Sequence, residues 1–154
     1  MRFNEIVFRE ASAADLPGIA HVRTSVTENL LTPAQLESRG ITNASVAAAF
    51  LADSKGWVAG RNGRIVAFSI ADRASQSIFA LFVLPECEGR GLGSRLLDLA
   101  LQWLWQNQAQ TVWLSTGPGT RAARFYERRG WVCTGREAGG DPRYALQRPP
   151  AQLT

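Results

Sequence analysis

The sequence predicts a mixed α/β domain, a central sheet flanked by helices, and three observations carry that expectation. An apolar run, Ser77–Leu84, enters a glycine-rich turn that opens an amphipathic helix from about Gly91 to Gln106. Two apolar runs, Trp57–Ala59 and Arg64–Ala71, flank Arg61, Asn62 and Gly63, a stretch that supplies positive-φ turn residues, so they read as a hairpin. The remaining apolar segments place strands in the middle of the chain order with helices around them.

In chain order, Ile6–Arg9 reads as the first strand, and Asp15 is placed to cap a helix through about Glu28, with Pro17 tolerated in its first turn. Thr32 and Pro33 open a short helix, and Asn43–Leu51 forms another, rich in alanine. After the hairpin, the strand 77–84 and the glycine-turn helix come a strand Thr111–Ser115, a helix Thr120–Arg129, and strands near Trp131–Arg136 and Arg143–Gln147. No repeat, low-complexity segment or long linker interrupts this order, so one domain over residues 1–154 is expected.

Composition fits that expectation. A chain of 154 residues can bury a core without disulfides or metal. The start, MRFNEIVFRE, interrupts its apolar residues with charge every few positions, unlike a signal peptide, and the run 78–84 is far too short to span a membrane. A cytoplasmic protein is expected.

The glycine turn is the most informative segment. Gly89, Gly91 and Gly93 carry no Cβ, so the backbone from Glu88 through Arg90 and Leu92 to Ser94 can curl tightly and aim several N–H groups at one point. Helix polarity adds partial positive charge there, which suits a pyrophosphate. The spacing rejects the two commonest phosphate loops. A dinucleotide fingerprint begun at Gly89 or Gly91 places Ser94 or Leu96 where its last glycine belongs, and the only lysine, Lys55, lies far from any P-loop position.

What fits is a strand ending L-x-V-x-P-E (Leu81, Val83, Pro85, Glu86), four residues, then Gly91 and Gly93, and a helix with Leu96 and Leu97 facing inward. In this the chain resembles the GNAT superfamily of acyl-CoA-dependent N-acetyltransferases. A second element agrees downstream: Ala122, Phe125, Tyr126, Glu127, Gly130 and Trp131 match the superfamily's Ala-x-x-Phe-Tyr-Glu helix and the glycine and aromatic that follow it. The resemblance covers about Ile6 to Gln147.

The resemblance implies a mostly antiparallel sheet of about seven strands with a splayed strand pair at the cofactor site. It implies acetyl-CoA as cosubstrate, no metal, and direct acetyl transfer to a primary amine in a ternary complex. Backbone N–H groups of Leu81, Phe82 and Val83, freed by a bulge, would receive pantetheine and the thioester carbonyl. Residues 88–94 would cradle the diphosphate, and Tyr126 matches the position whose hydroxyl reaches the coenzyme A sulfur, a general-acid role. The base is unassigned; Glu28, at the expected end of the first helix, is a weak candidate because that connection borders the acceptor site in the family. An acyl-CoA-binding sensor without turnover is the alternative.

Two positions depart from the family pattern. Glu88 stands where Gln or Arg is usual and brings a carboxylate towards the diphosphate, with Arg90 and Arg95 expected to offset it. The GPGT turn, Gly117–Thr120, lacks the usual asparagine, although Thr120 can still cap the helix.

The net charge of +4 is carried almost wholly by arginine. Arg121, Arg124 and Arg128 share a helix face, and that stripe can hold the cofactor's ribose phosphate through Arg121 or Arg124, bind an acidic partner, or be a solvated face. A nucleic-acid-binding module is the less favoured reading, since the stripe has no interleaved aromatic platforms. Cys87 and Cys133 form no CxxC and read as reduced thiols; Cys87, in the turn, could form a mixed disulfide with free coenzyme A. His21 reads as a half-buried polar residue without a catalytic partner. On the glycine-turn helix, Trp103 should pack on the sheet, while Trp105 with Leu101 should form an exposed edge or a homodimer contact. The acceptor segments LTPAQLESRG and REAGGDPRY match no substrate signature, so a small amine, an amino acid, an antibiotic or a protein N-terminus all remain open.

Overall fold

The structure is a computed structural model describing residues 5–150. The first four residues of MRFNEIVFRE and the last four of the chain lie outside the described residues, as do the ends of the expected 1–154 domain. Elements run β1 (Ile6–Glu10), α1 (Leu16–Arg23), α2 (Pro33–Ser38), α3 (Asn43–Phe50), β2 (Ser54–Arg61), β3 (Arg64–Asp72) and β4 (Ser77–Val83). They continue with α4 (Leu92–Gln106), β5 (Thr111–Ser115), α5 (Arg121–Arg128), β6 (Val132–Arg136) and β7 (Pro142–Gln147).

One seven-stranded sheet has the order β1-β2-β3-β4-β5-β7-β6. Its neighbours are antiparallel except β4 and β5, which run parallel because α4 carries the chain across between them. The expected hairpin is present: Asn62 (φ 54°) and Gly63 (φ 76°) close a two-residue turn whose left-handed positions match strand twist, with Arg61 opposite Arg64.

The sheet is buried on both faces of β3. Phe68 and Ser69 alternate, so they point to opposite sides. Phe68 packs against Phe82 at 5.8 Å, and Arg23 of α1 lies over Phe82, which puts α1 on that face. On the other face the Ser69 hydroxyl donates to the Leu96 carbonyl of α4 at 3.1 Å. Helix α1 approaches closely enough that a Cβ on Gly18 would stand 2.8 Å from Ile65 Cδ1. Leu92, Leu96, Leu97, Ala100 and Leu104 bury the inner stripe of α4.

Several local expectations are corrected. Asp15 precedes α1 but makes no capping bond to it; its carboxylate accepts from the Ser12 N–H at 2.8 Å and pairs with Arg9 through bonds of 2.8 and 2.9 Å. The Arg9 hydrogen bonds hold the Asp15 carboxyl below its usual range against the opposing effect of burial. Helix α1 stops at Arg23, not Glu28, where the Thr24 and Ser25 hydroxyls bond back to the Ala20 and His21 carbonyls. His21 is exposed, within 3.3 Å of Arg64. Trp103 meets Trp57 edge-to-face at 6.0 Å as expected, but Trp105 and Leu101 are half-buried against the core, so they form no exposed edge. Among the described residues no helix is long and apolar enough to cross a membrane.

Candidate active site

The glycine turn follows β4 through a single 3-10 turn, Pro85–Cys87. Gly89 (φ 77°) and Gly91 (φ 80°) both sit in the left-handed region that other residues avoid. Gly91 is the residue that precedes α4, and no side chain caps that helix. Its first backbone bond runs from the Arg95 N–H to the Gly91 carbonyl, which leaves the N–H groups of Leu92, Gly93 and Ser94 without a partner in the helix. Cys87 lies beneath the turn, 1% exposed and within the core, so its thiol is shielded rather than open in the turn.

Beside the turn the sheet comes apart. Ser77 opposite Trp113 is the single register pair between β4 and β5, supported by a Trp113 N–H bond to the Gln76 carbonyl at 3.1 Å. From Ile78 onward the β4 edge that faces β5 has no strand partner. On the other edge the register with β3 slips, with Ile70 opposite Ala80 and Ala71 opposite Ile78, so Phe79 is the bulged residue. The bulge thus precedes Leu81, Phe82 and Val83, which continue in register with β3 and line a cleft of about 900 Å³. The same cleft is lined by Glu88, Gly89, Gly91, Leu92, Gly93 and Ser94 on one side and by Tyr126 of α5 on the other.

Helix α5 is fixed by residues from a distant loop. Thr120 caps it, accepting from the Ala123 N–H at 3.1 Å, and Glu28 Oε1 accepts from the Arg121 N–H at 3.0 Å. Asn29 adds two bonds to the preceding turn, from the Gly117 N–H (2.8 Å) and to Thr116 Oγ1 (3.1 Å). Glu28 therefore lies in a loop, exposed, with one oxygen engaged as a helix cap. Tyr126 is buried between Phe125 (5.3 Å) and Trp131 (5.5 Å), both edge-to-face, and its hydroxyl has no hydrogen-bond partner among the described residues. Burial pushes its phenol well above the usual value, so it stays protonated and available as a donor. Nearby Tyr144 donates to Glu127 Oε2 at 2.8 Å, and burial with that bond raises it to about 12.

The charges around the turn differ from expectation. Glu88 is offset by Arg121, at 3.1 Å, and not by Arg90 or Arg95. Arg95 instead lies near the Phe8 ring, at 5.9 Å, and Arg90 is exposed. Arg124 donates to the Gly119 carbonyl at 3.0 Å, bracing the turn before its own helix. Arg129, which the sequence reading passed over, bonds the Ser94 hydroxyl and covers the Phe125 ring at 4.5 Å. Its signal was the run Glu127-Arg128-Arg129-Gly130 at the end of α5, which sequence alone cannot assign to one partner. Among the described residues no group of three His, Cys, Asp or Glu is placed to hold a metal.

A mostly antiparallel sheet opened at its one parallel pair, with a glycine turn on one flank and a helix-borne tyrosine on the other, defines the acyltransferase fold that the motifs implied. The chain belongs to the acetyltransferase (GNAT) family, whose model matches residues 25–131. No curated protein matches the chain significantly. Among solved structures, the PaiA N-acetyltransferase of Thermoplasma acidophilum, in complex with coenzyme A, is similar at a TM-score of 0.78 and 15% identity, over 94% of this chain and 99% of that one. The ribosomal-protein-S18-alanine N-acetyltransferase of Escherichia coli is similar at 0.73 and 19%, over 96% and 97%. A Bacillus anthracis protein in complex with acetyl coenzyme A is similar at 0.70 and 17%, over 94% and 100%. At these identities the likeness is one of fold.

Proposed function

We propose that the protein is an N-acetyltransferase that moves an acetyl group from acetyl-CoA directly to a primary amine. The observation that carries this reading is that the unpaired β4 edge, the glycine turn and the Tyr126 hydroxyl border one cleft. The residues fit the cosubstrate. Left-handed glycines and the free N–H groups of 92–94 suit a diphosphate, and the edge of Leu81–Val83 suits the amides of pantetheine.

In the reaction a neutral amine forms the new C–N bond while the C–S bond breaks. The nitrogen gives up a proton to water, and the sulfur takes one. Backbone N–H groups of Leu81 and Val83, which alternate away from β3 toward the unpaired edge, would stabilise the oxygen on which negative charge develops, because their dipoles are already fixed. Tyr126, held protonated by burial, would donate a hydrogen bond to the sulfur that strengthens as the thiolate forms and then pass on its proton. Glu28 can serve as base only through its second oxygen, the first being engaged with α5. Arg121 can turn to phosphate only by leaving Glu88. The partners proposed are this cosubstrate and an amine, without nucleic acid or membrane. A cytoplasmic location belongs to the same reading, in keeping with two free cysteines.

Release of free thiol from acetyl-CoA across a panel of amines tests this. Amine-dependent release with saturable acetyl-CoA is expected. Saturable binding with no release for any amine would leave the CoA-binding sensor instead, a reading that Glu28's engagement favours.

A further inference from the structure

The wall of the cleft built by α1, the loop after it and α2 carries two arginines, Arg23 and Arg39. Arg23 ends α1 and is half-buried. Its guanidinium lies 4.1 Å from the centroid of the Phe82 ring, and Nη1 donates to the Asn29 carbonyl at 3.0 Å. Neither arginine has a carboxylate partner among the described residues. Burial, and then the like charge of Arg39, make the Arg23 cation less favourable than usual. Three carboxylates line the cleft: Glu28 and Glu88 are engaged with Arg121 instead, and Asp141 is paired with neither Arg23 nor Arg39.

Apolar surface completes the wall. Phe79 at the bulge is 50% exposed and Leu30 51%, and both line this cleft with Leu36 and Val46. Large apolar groups left open inside a site are what an apolar ligand covers. Arg23 also stands over the ring of Phe82, a residue of the segment assigned to the thioester, so an anion on it would share the cleft with the reacting amine.

We propose that the acceptor is an amine bearing its own carboxylate and an apolar side chain, the carboxylate held by Arg23 and Arg39, with apolar α-amino acids as its simplest members. This rests on the acetyltransferase reading and names the substrate class of that site. The guanidinium pair selects the anion, while Leu30, Leu36 and Phe79 select the apolar group.

The test compares L-leucine and L-phenylalanine with their amides as acceptors, per neutral amine, by thiol release from acetyl-CoA. The acids should show kcat/KM about tenfold to a hundredfold higher, the range for a charge-assisted contact. In Arg23→Gln and in Arg39→Gln that preference should fall towards one, mainly through KM, with acetyl-CoA affinity within about twofold of wild type. Arg39 is exposed, so its variant keeps the test valid if Arg23→Gln folds poorly. Equal kcat/KM for acid and amide, a preference that survives both substitutions, or a loss confined to acetyl-CoA affinity would each overturn the proposal. If no amine turns over, calorimetry on the acetyl-CoA-saturated protein decides. Acids binding above amides would uphold the ligand class while the acetyltransferase reading fails; no such difference would overturn both.

Discussion

The two halves of the sheet are built differently. Strands β1 to β4 pair in one antiparallel run, β2 with β3 from Ser54–Asp72 to Arg61–Arg64 and β3 with β4 from Ala67–Val83 to Asp72–Ser77, and are packed by α1 and α4 on opposite faces. Strands β5, β7 and β6 form a second antiparallel set, with β6 exposed along its whole length, and meet the first at one register pair. A strand edge whose N–H and C=O groups have no strand partner must find other partners or water. In the first half the facing edges of β1, β2, β3 and β4 are paired along their lengths. At the junction the β4 edge has no strand partner beyond Ser77, and under the proposed function that edge receives the cosubstrate.

Substitutions at the junction should therefore change activity more than stability, and substitutions in the first half the reverse. The largest expected effect is at Tyr126. Tyr126→Phe should lower kcat by about a hundredfold, the low end for loss of a general acid, with acetyl-CoA affinity within about twofold. In the wild type, the buried phenol's raised pKa keeps its proton on, so this group should cause no loss of rate until well above the usual tyrosine value of about 10. Full turnover by Tyr126→Phe, or a rate that falls near neutral pH by its ionisation, would remove Tyr126 from the chemistry.

Next is Gly91→Val. A β-branched residue at φ 80° costs about 1–3 kcal/mol and places a side chain at the mouth of the turn, so acetyl-CoA affinity should fall at least about tenfold by calorimetry. Asp15→Asn probes the other half. It should lower unfolding free energy by about 1 kcal/mol, limited by solvent around Arg9, and leave kcat unchanged. Because the Asp15 carboxyl is depressed, its contribution is complete above the ordinary aspartate range and is lost as pH falls through the lower folded value. Denaturant midpoints at pH 7 and pH 2.5 should then differ less in Asp15→Asn than in wild type. The smallest effect is at Glu88: Glu88→Gln frees Arg121 and should tighten acetyl-CoA about twofold to fivefold, more at low salt.

What was legible in the sequence was local or periodic. The Asn62–Gly63 turn, the Thr120 cap and the inward-facing Leu96 and Leu97 of α4 each depend on residues a few positions apart, and each is found where expected; of the three turn glycines, Gly89 and Gly91 are left-handed while Gly93 lies within α4. The site's cross-links were not legible. Glu28 capping α5, Glu88 paired with Arg121 and Arg129 bonded to Ser94 all join segments far apart in the chain, and no local pattern selects one such partner over another. The early end of α1 had a signal, the Thr-Ser-Val-Thr run after Arg23, whose hydroxyls and β-branching compete with the helix. The half-burial of Trp105 was not legible because angular position on a helix says which way a side chain leaves the axis, not how far neighbouring elements extend to cover it.

Amide hydrogen exchange with and without coenzyme A most directly tests whether the open junction is the binding site. Ligand should slow exchange in residues 78–83 and 88–94, while β2 and the hairpin turn stay unchanged. Protection elsewhere with these two segments unaffected would contradict it.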